Sequence, residues 1–171
     1  QDWEKYYRTW MNRVIYEVNH RHFHRAFTEI QYITDDIKEH HQEKYLYMLN
    51  MELGFFYNGR NQPELGEKYF RRALQGIDVE KEPIAAFNSY LSLAQSLSLK
   101  RPAEAMACLD SLPQQMLQNP MYESGVLGYR CIIANKMGDR KAFNDYFAKY
   151  DSIRQNTPAQ FNAANLEQVM V

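Results

Sequence analysis

An all-α chain is the fold class this sequence predicts, on three observations. Apolar residues recur at spacings of three and four, as in Ile84, Phe87, Tyr90, Leu91, Ala94 and Leu97, the period of one buried helical face. There are 7 glycines and 6 prolines in 171 residues, too few for the frequent turns of a sandwich or barrel. A small residue recurs at Ala26, Gly66, Ala105 and Ala142, followed at the fourth place by Ile30, Phe70, Leu109 and Tyr146. Regular self-similarity of this kind marks stacked helical pairs. With 45% apolar and 24% charged residues, the chain has the composition of a folded domain and not of a disordered one.

The elements follow in order. Trp3, Tyr6, Tyr7 and Trp10 open the first helix, and their bulk can cover a neighbouring helix. The segment Asn19–Arg25 reads as the turn into the second helix. A third runs through Tyr47, Leu53, Gly54 and Tyr57. Pro63 begins the fourth, where its fixed φ and missing N–H are tolerated. The Ile84 stripe is the fifth, and Met106, Leu109 and Leu112 continue it after Pro102. Pro113 and Pro120 bracket a linker with room for a short turn. Tyr122, Val126, Tyr129, Ile133 and Met137 form the next stripe. Gly138 stops that helix and Asp139 caps its successor, which carries Tyr146, Tyr150 and Ile153. Thr157 and Pro158 open a last helix. The expected organisation is one domain over 1–171, with paired units at 3–40, 42–79, 83–117 and 120–155 and a terminal helix at 158–170.

Within the second unit, Leu53, Gly54 and Tyr57 share one helical face, and Gly66, Phe70 and Ala73 share another. Small residues at Gly54 and Gly66 allow two axes to approach, and Tyr57 and Phe70 fill the space beside them. This unit resembles the tetratricopeptide repeat (TPR), with Tyr47 as its first position. Asn50 stands where that family usually has Trp, and Asp78 where it has the closing Pro. The resemblance implies a right-handed α–α superhelix of about four hairpins plus a C-terminal helix. It also implies a concave groove that holds a peptide or protein partner. Carried onto this chain, the groove positions are Met48, Met51, Phe55 and Asn58 in the second unit and Ala85, Asn88, Ser92 and Gln95 in the third. Leu127, Cys131 and Asn135 are their weaker counterparts in the fourth. Asn and Gln there suit an extended main chain, and Met and Phe suit a side chain.

Other clusters read as ordinary surface or core. His20, His22 and His24 lack a carboxylate or Cys at a metal-motif spacing, so no metal is expected. Cys108 and Cys131 are expected as two free, packed thiols. Lys5 to Arg25 is locally basic, but net charge is −1, and Asp35, Asp36 and Glu39 follow to balance it; no nucleic-acid partner is expected. Of the mapped groove positions only Arg8 is basic, counting the first unit from Tyr7. That disfavours an RNA-reading array and the Lys/Arg carboxylate clamp of TPR co-chaperones. No nucleophile–base triad, HExxH, GxGxxG or GxxxxGK[ST] motif occurs, so neither enzyme activity nor a cofactor is expected. No apolar run reaches the length of a membrane span.

The segment Tyr146–Ile153 and the helix expected to follow it are similar to the close of the repeat region in certain bacterial signalling proteins. In those, the repeats run on to a histidine kinase or a membrane-tethered transcriptional regulator. This implies a sensor region in a two-component or related signal-transduction system, exported to the periplasm, and the chain ends suggest a fragment of a longer protein. The alternative is a stand-alone cytoplasmic scaffold or adaptor. Exposed end faces would suit a homodimer.

Overall fold

The computed structural model describes residues 2–156. Among them are eight α-helices and no strand: α1 (Trp3–Asn19), α2 (Phe23–Glu39), α3 (Leu46–Gly59), α4 (Pro63–Gly76), α5 (Pro83–Leu97), α6 (Pro102–Asp110), α7 (Pro120–Met137) and α8 (Arg140–Asn156). Short 3₁₀ turns occupy Glu43–Tyr45 and Met116–Gln118, the second in the linker between Pro113 and Pro120. The helix expected over 158–170 lies outside the described residues. Contacts group the chain into two compact units divided between Ser92 and Leu93, inside α5.

In the first unit α1 packs on α2, α3 on α4, and α3 also on α1 and α2. Each helix presents a periodic apolar face: Tyr7, Met11 and Val14 on α1, and Ala26, Ile30, Ile33 and Ile37 on α2, are all buried. The α1 N-terminus is capped by Asp2, whose carboxylate accepts from the Lys5 N–H at 3.1 Å. Proline is the first residue of α4, α6 and α7, as its geometry favours. Gly54 marks a close approach of α3 and α4. A Cβ at that position would lie 2.7 Å from the Phe70 ring, so α3 and α4 sit at a separation only glycine permits.

One turn geometry recurs. Arg21, His41 and Asn61 each adopt a left-handed backbone, with φ of 60°, 54° and 58°. After each, the next N–H bonds to the carbonyl five residues back: His22 to Glu17, Gln42 to Ile37, and Gln62 to Tyr57, at 2.8–2.9 Å. The left-handed residue itself bonds three back, to Val18, Lys38 and Asn58. This is the Schellman helix stop, and it ends α1, α2 and α3 alike. Gly138 ends α7 in the same way, at φ 71°, with Asp139 bonded to Ala134. Glycine suits that position, whereas arginine and histidine there carry a steric cost of about 1–2 kcal/mol. Arg21→Gly and His41→Gly are each expected to raise stability by about 0.5–1 kcal/mol, the relief less glycine's added entropy in the unfolded chain. Urea midpoints at constant m-value would register it; a lower midpoint in both variants would contradict it.

In the second unit α7 packs on α6 and α8. Asp139 caps α8 as expected, accepting from the Ala142 N–H at 2.9 Å. Arg130 of α7 holds Asp110 at the end of α6, at 2.6 Å, and the Lys136 ammonium donates to the Ser98 hydroxyl at 2.8 Å. Cys108 and Cys131 are both free thiols, and burial pushes the Cys131 thiol up from its ordinary pKa.

The face of α5 differs from the expected stripe. Ile84 is 62% exposed, whereas Ser89, Ser92 and Ser96 are buried among Ala86, Leu93 and Ala94. What remains accessible is the strip through Ile84, Asn88 and Gln95.

Candidate functional site

One accessible apolar side chain of the first unit, Phe55, stands on α3. Two contacts fix the rotation of this helix. Gly54 meets Phe70 of α4, and Phe56 meets the edge of Phe23 of α2 at 5.7 Å between ring centroids. Successive residues turn about 100°, so Met48, Met51, Glu52 and Phe55 occupy the arc between those two contacts. Phe55 is 37% exposed and edges Phe70 at 5.1 Å. Met51 and Asn58 are half-buried, and Met48 is buried. The residue 40 places before Phe55 is Ile15 on α1, also 37% exposed, so the equivalent position of the first helical pair repeats the apolar exposure.

Of the expected groove residues on α5, Asn88 is exposed within the first unit, and Gln95 is exposed within the second. Ser92, expected to face solvent, is 8% exposed; the small residues around it allow close packing on that side of α5. In α7, Leu127 and Cys131 are buried and Asn135 is exposed.

Two polar residues that the sequence does not single out are Glu52 of α3 and Ser89 of α5. Burial alone pushes the pKa of the Glu52 carboxyl up to about 8. The residue as a whole stays partly accessible. Counting from Tyr47 and from Ile84, Ser89 of α5 holds the position that Glu52 holds in α3. Ser89 is fully buried, and its hydroxyl has no hydrogen-bond partner among the described residues. Buried polar groups without partners are uncommon in native proteins, and the Ser89 hydroxyl is one.

Arg8 is tied down and does not present a free cation. Its guanidinium donates to Glu4 at 3.0 Å and to both oxygens of Glu82 at 2.9 and 3.0 Å. Tyr47 lies beside this trio, and burial together with the Glu82 charge holds its phenol well above its ordinary pKa. Arg13 is held by Glu29 at 2.9 Å. The acids that balance the basic N-terminal stretch are therefore Glu4, Glu29 and Glu82. Asp36, one of those expected to do so, instead accepts from the Tyr6 and Tyr7 hydroxyls at 3.4 and 3.0 Å.

The histidines do not assemble. His22 is bonded to Glu17 at 2.8 Å, and His20 stacks on Tyr16 with centroids 4.0 Å apart. Among the described residues no group of three His, Cys, Asp or Glu is placed to hold a metal, and no helix is long and apolar enough to cross a membrane. An open hollow of about 560 Å³ runs along α1 past Lys5, Tyr6, Trp10 and Arg13. Trp10 and Arg13 there are both committed to Glu29.

No protein-family model, curated protein or solved structure matches this chain.

Proposed function

We propose that this chain is a TPR-like interaction module that binds an extended peptide or protein segment on the α3 face. The observation that carries the reading is the exposure of Phe55 beside Met51, repeated at Ile15 on α1. Exposed apolar side chains grouped on a rigid helical surface, with polar Asn88 in the same unit, suit a partner whose side chain is buried and whose main chain is hydrogen-bonded. The small-residue approach at Gly54 and the thrice-repeated helix stop support a helical-repeat scaffold, and such scaffolds present continuous surfaces for partners. The resemblance of Tyr146–Ile153 to repeat-closing segments in bacterial signalling proteins supports a sensing role within a longer, exported chain.

The test is binding by a double variant. Met51→Ala with Phe55→Ala is expected to weaken a partner by at least about tenfold, or 1.4 kcal/mol, with unchanged far-ultraviolet circular dichroism. Unchanged affinity would remove the site from α3. An apolar span of about 20 residues encoded downstream, with an export leader upstream, is the expected result for the sensing role; a stop codon soon after Val171 and no leader would contradict it.

A further inference from the structure

The α3 face has a chemical bias that its apolar residues alone do not reveal. Met51 and Phe55 offer a surface for one apolar side chain. Glu52 shares the arc and brings an acid with no hydrogen-bond or ionic partner among the described residues. Several cations on the elements packed against α3 are held by other groups; Lys44 lies over the Tyr45 ring, and Lys68 and Arg72 lie over the Tyr69 ring. On α1, Arg8 is held by Glu4 and Glu82, and Arg13 by Glu29 of α2. On α4, Arg71 is held by Glu67 at 2.9 Å. Arg60, just past α3, lies over the Phe23 and Phe56 rings. None of these shifts the Glu52 carboxyl, whose only perturbation is burial. At Arg8 the two carboxylates of Glu4 and Glu82 outnumber the one guanidinium.

Resting on the α3 reading above, we propose that the occupant is a peptide segment joining an apolar side chain to a lysine or arginine. The apolar side chain covers Met51 and Phe55, and the cation pairs with the Glu52 carboxylate. An acid buried without a counter-charge keeps its proton. An arriving cation restores the ionised form, and the proton leaves to solvent. Pairing therefore converts an unsatisfied group into a charge-assisted hydrogen bond. An acidic segment would bring a like charge against the Glu52 carboxyl and be disfavoured.

A random dodecapeptide library displayed on phage, panned against the whole chain, is the probe. Enriched sequences are expected to carry Lys or Arg within a few residues of Leu, Ile, Met or Phe. The strongest is then synthesised, acetylated and amidated, with a second version in which norleucine replaces the basic residue. On the wild type the norleucine version is expected to bind about tenfold more weakly. On Glu52→Gln, which imitates the neutral acid and leaves packing intact, the two versions should bind within about twofold of each other. Equal loss on both proteins, or enrichment of acidic sequences, would overturn the charge inference. Binding that ignores Phe55→Ala would instead overturn the α3 reading itself, and so would the absence of any enriched sequence.

Discussion

Replacing Phe70 with alanine is expected to cost about 3–5 kcal/mol, the range for deleting a buried aromatic ring. Domains of this size are stable by only about 5–15 kcal/mol, so the variant should sit near its unfolding limit. Phe70 is fully buried, and its ring occupies the space that the missing side chain of Gly54 leaves open. The two residues are one packing unit, and a mutant cycle exposes that. Gly54→Ala alone forces a methyl to within 2.7 Å of the ring and should cost about 1–3 kcal/mol through overpacking. In the double variant the new methyl enters the vacated volume, and the loss should fall short of the two single losses combined by about 1 kcal/mol or more. Chemical denaturation of the four proteins measures this; strict additivity would mean that α3 and α4 do not meet through this pair.

Glu52→Gln is expected to stabilise the chain at alkaline pH and to leave it nearly unchanged in acid. The folded carboxyl titrates at about 8, against 4.5 for its ordinary value. Below 4.5 both folded and unfolded chains hold the proton, and this group adds no pH dependence. Between 4.5 and 8 the unfolded chain has released its proton while the folded chain retains it, so stability falls as pH rises. Above 8 both forms are ionised and the decline stops. At about 1.4 kcal/mol per pH unit the full span amounts to at most about 5 kcal/mol, and the partial accessibility of the residue reduces it. Urea midpoints measured near pH 5 and near pH 9 should diverge for wild type and variant only at the higher pH. Parallel profiles would show that the acid is solvated in the folded state.

Much of the helical layout could be read from local chemistry. Pro63, Pro102 and Pro120 announce helix starts, Gly138 announces a stop, and Gly54 with Phe70 announces the tight contact, because each acts through its own geometry. Other features resisted reading for physical reasons. Arginine and histidine seldom adopt a left-handed backbone, so Arg21 and His41 gave no sign that they end helices as Asn61 does. The serines of α5 suit surface and core alike, so apolar spacing alone predicts too narrow a buried face, with Ser92 in solvent and Ile84 in the core, whereas Ser92 is buried and Ile84 exposed. Arg8 and Glu82 are far apart in sequence, and no spacing rule joins them. The repeat pattern places Met51 and Phe55 on one face of α3. Glu52, between Met51 and Leu53, looked like an ordinary surface acid, since its burial depends on what α3 packs against.

The most direct measurement of the binding role is a methyl NMR titration of the chain, labelled at the methionine and isoleucine methyls, with the enriched basic–apolar peptide. Met48, Met51 and Ile15 are expected to shift together and saturate at one dissociation constant, while Met121, Ile132 and Met137 of α7 stay in place. Shifts confined to the α7 methyls, with Met51 unmoved at saturation, would contradict a binding face on α3.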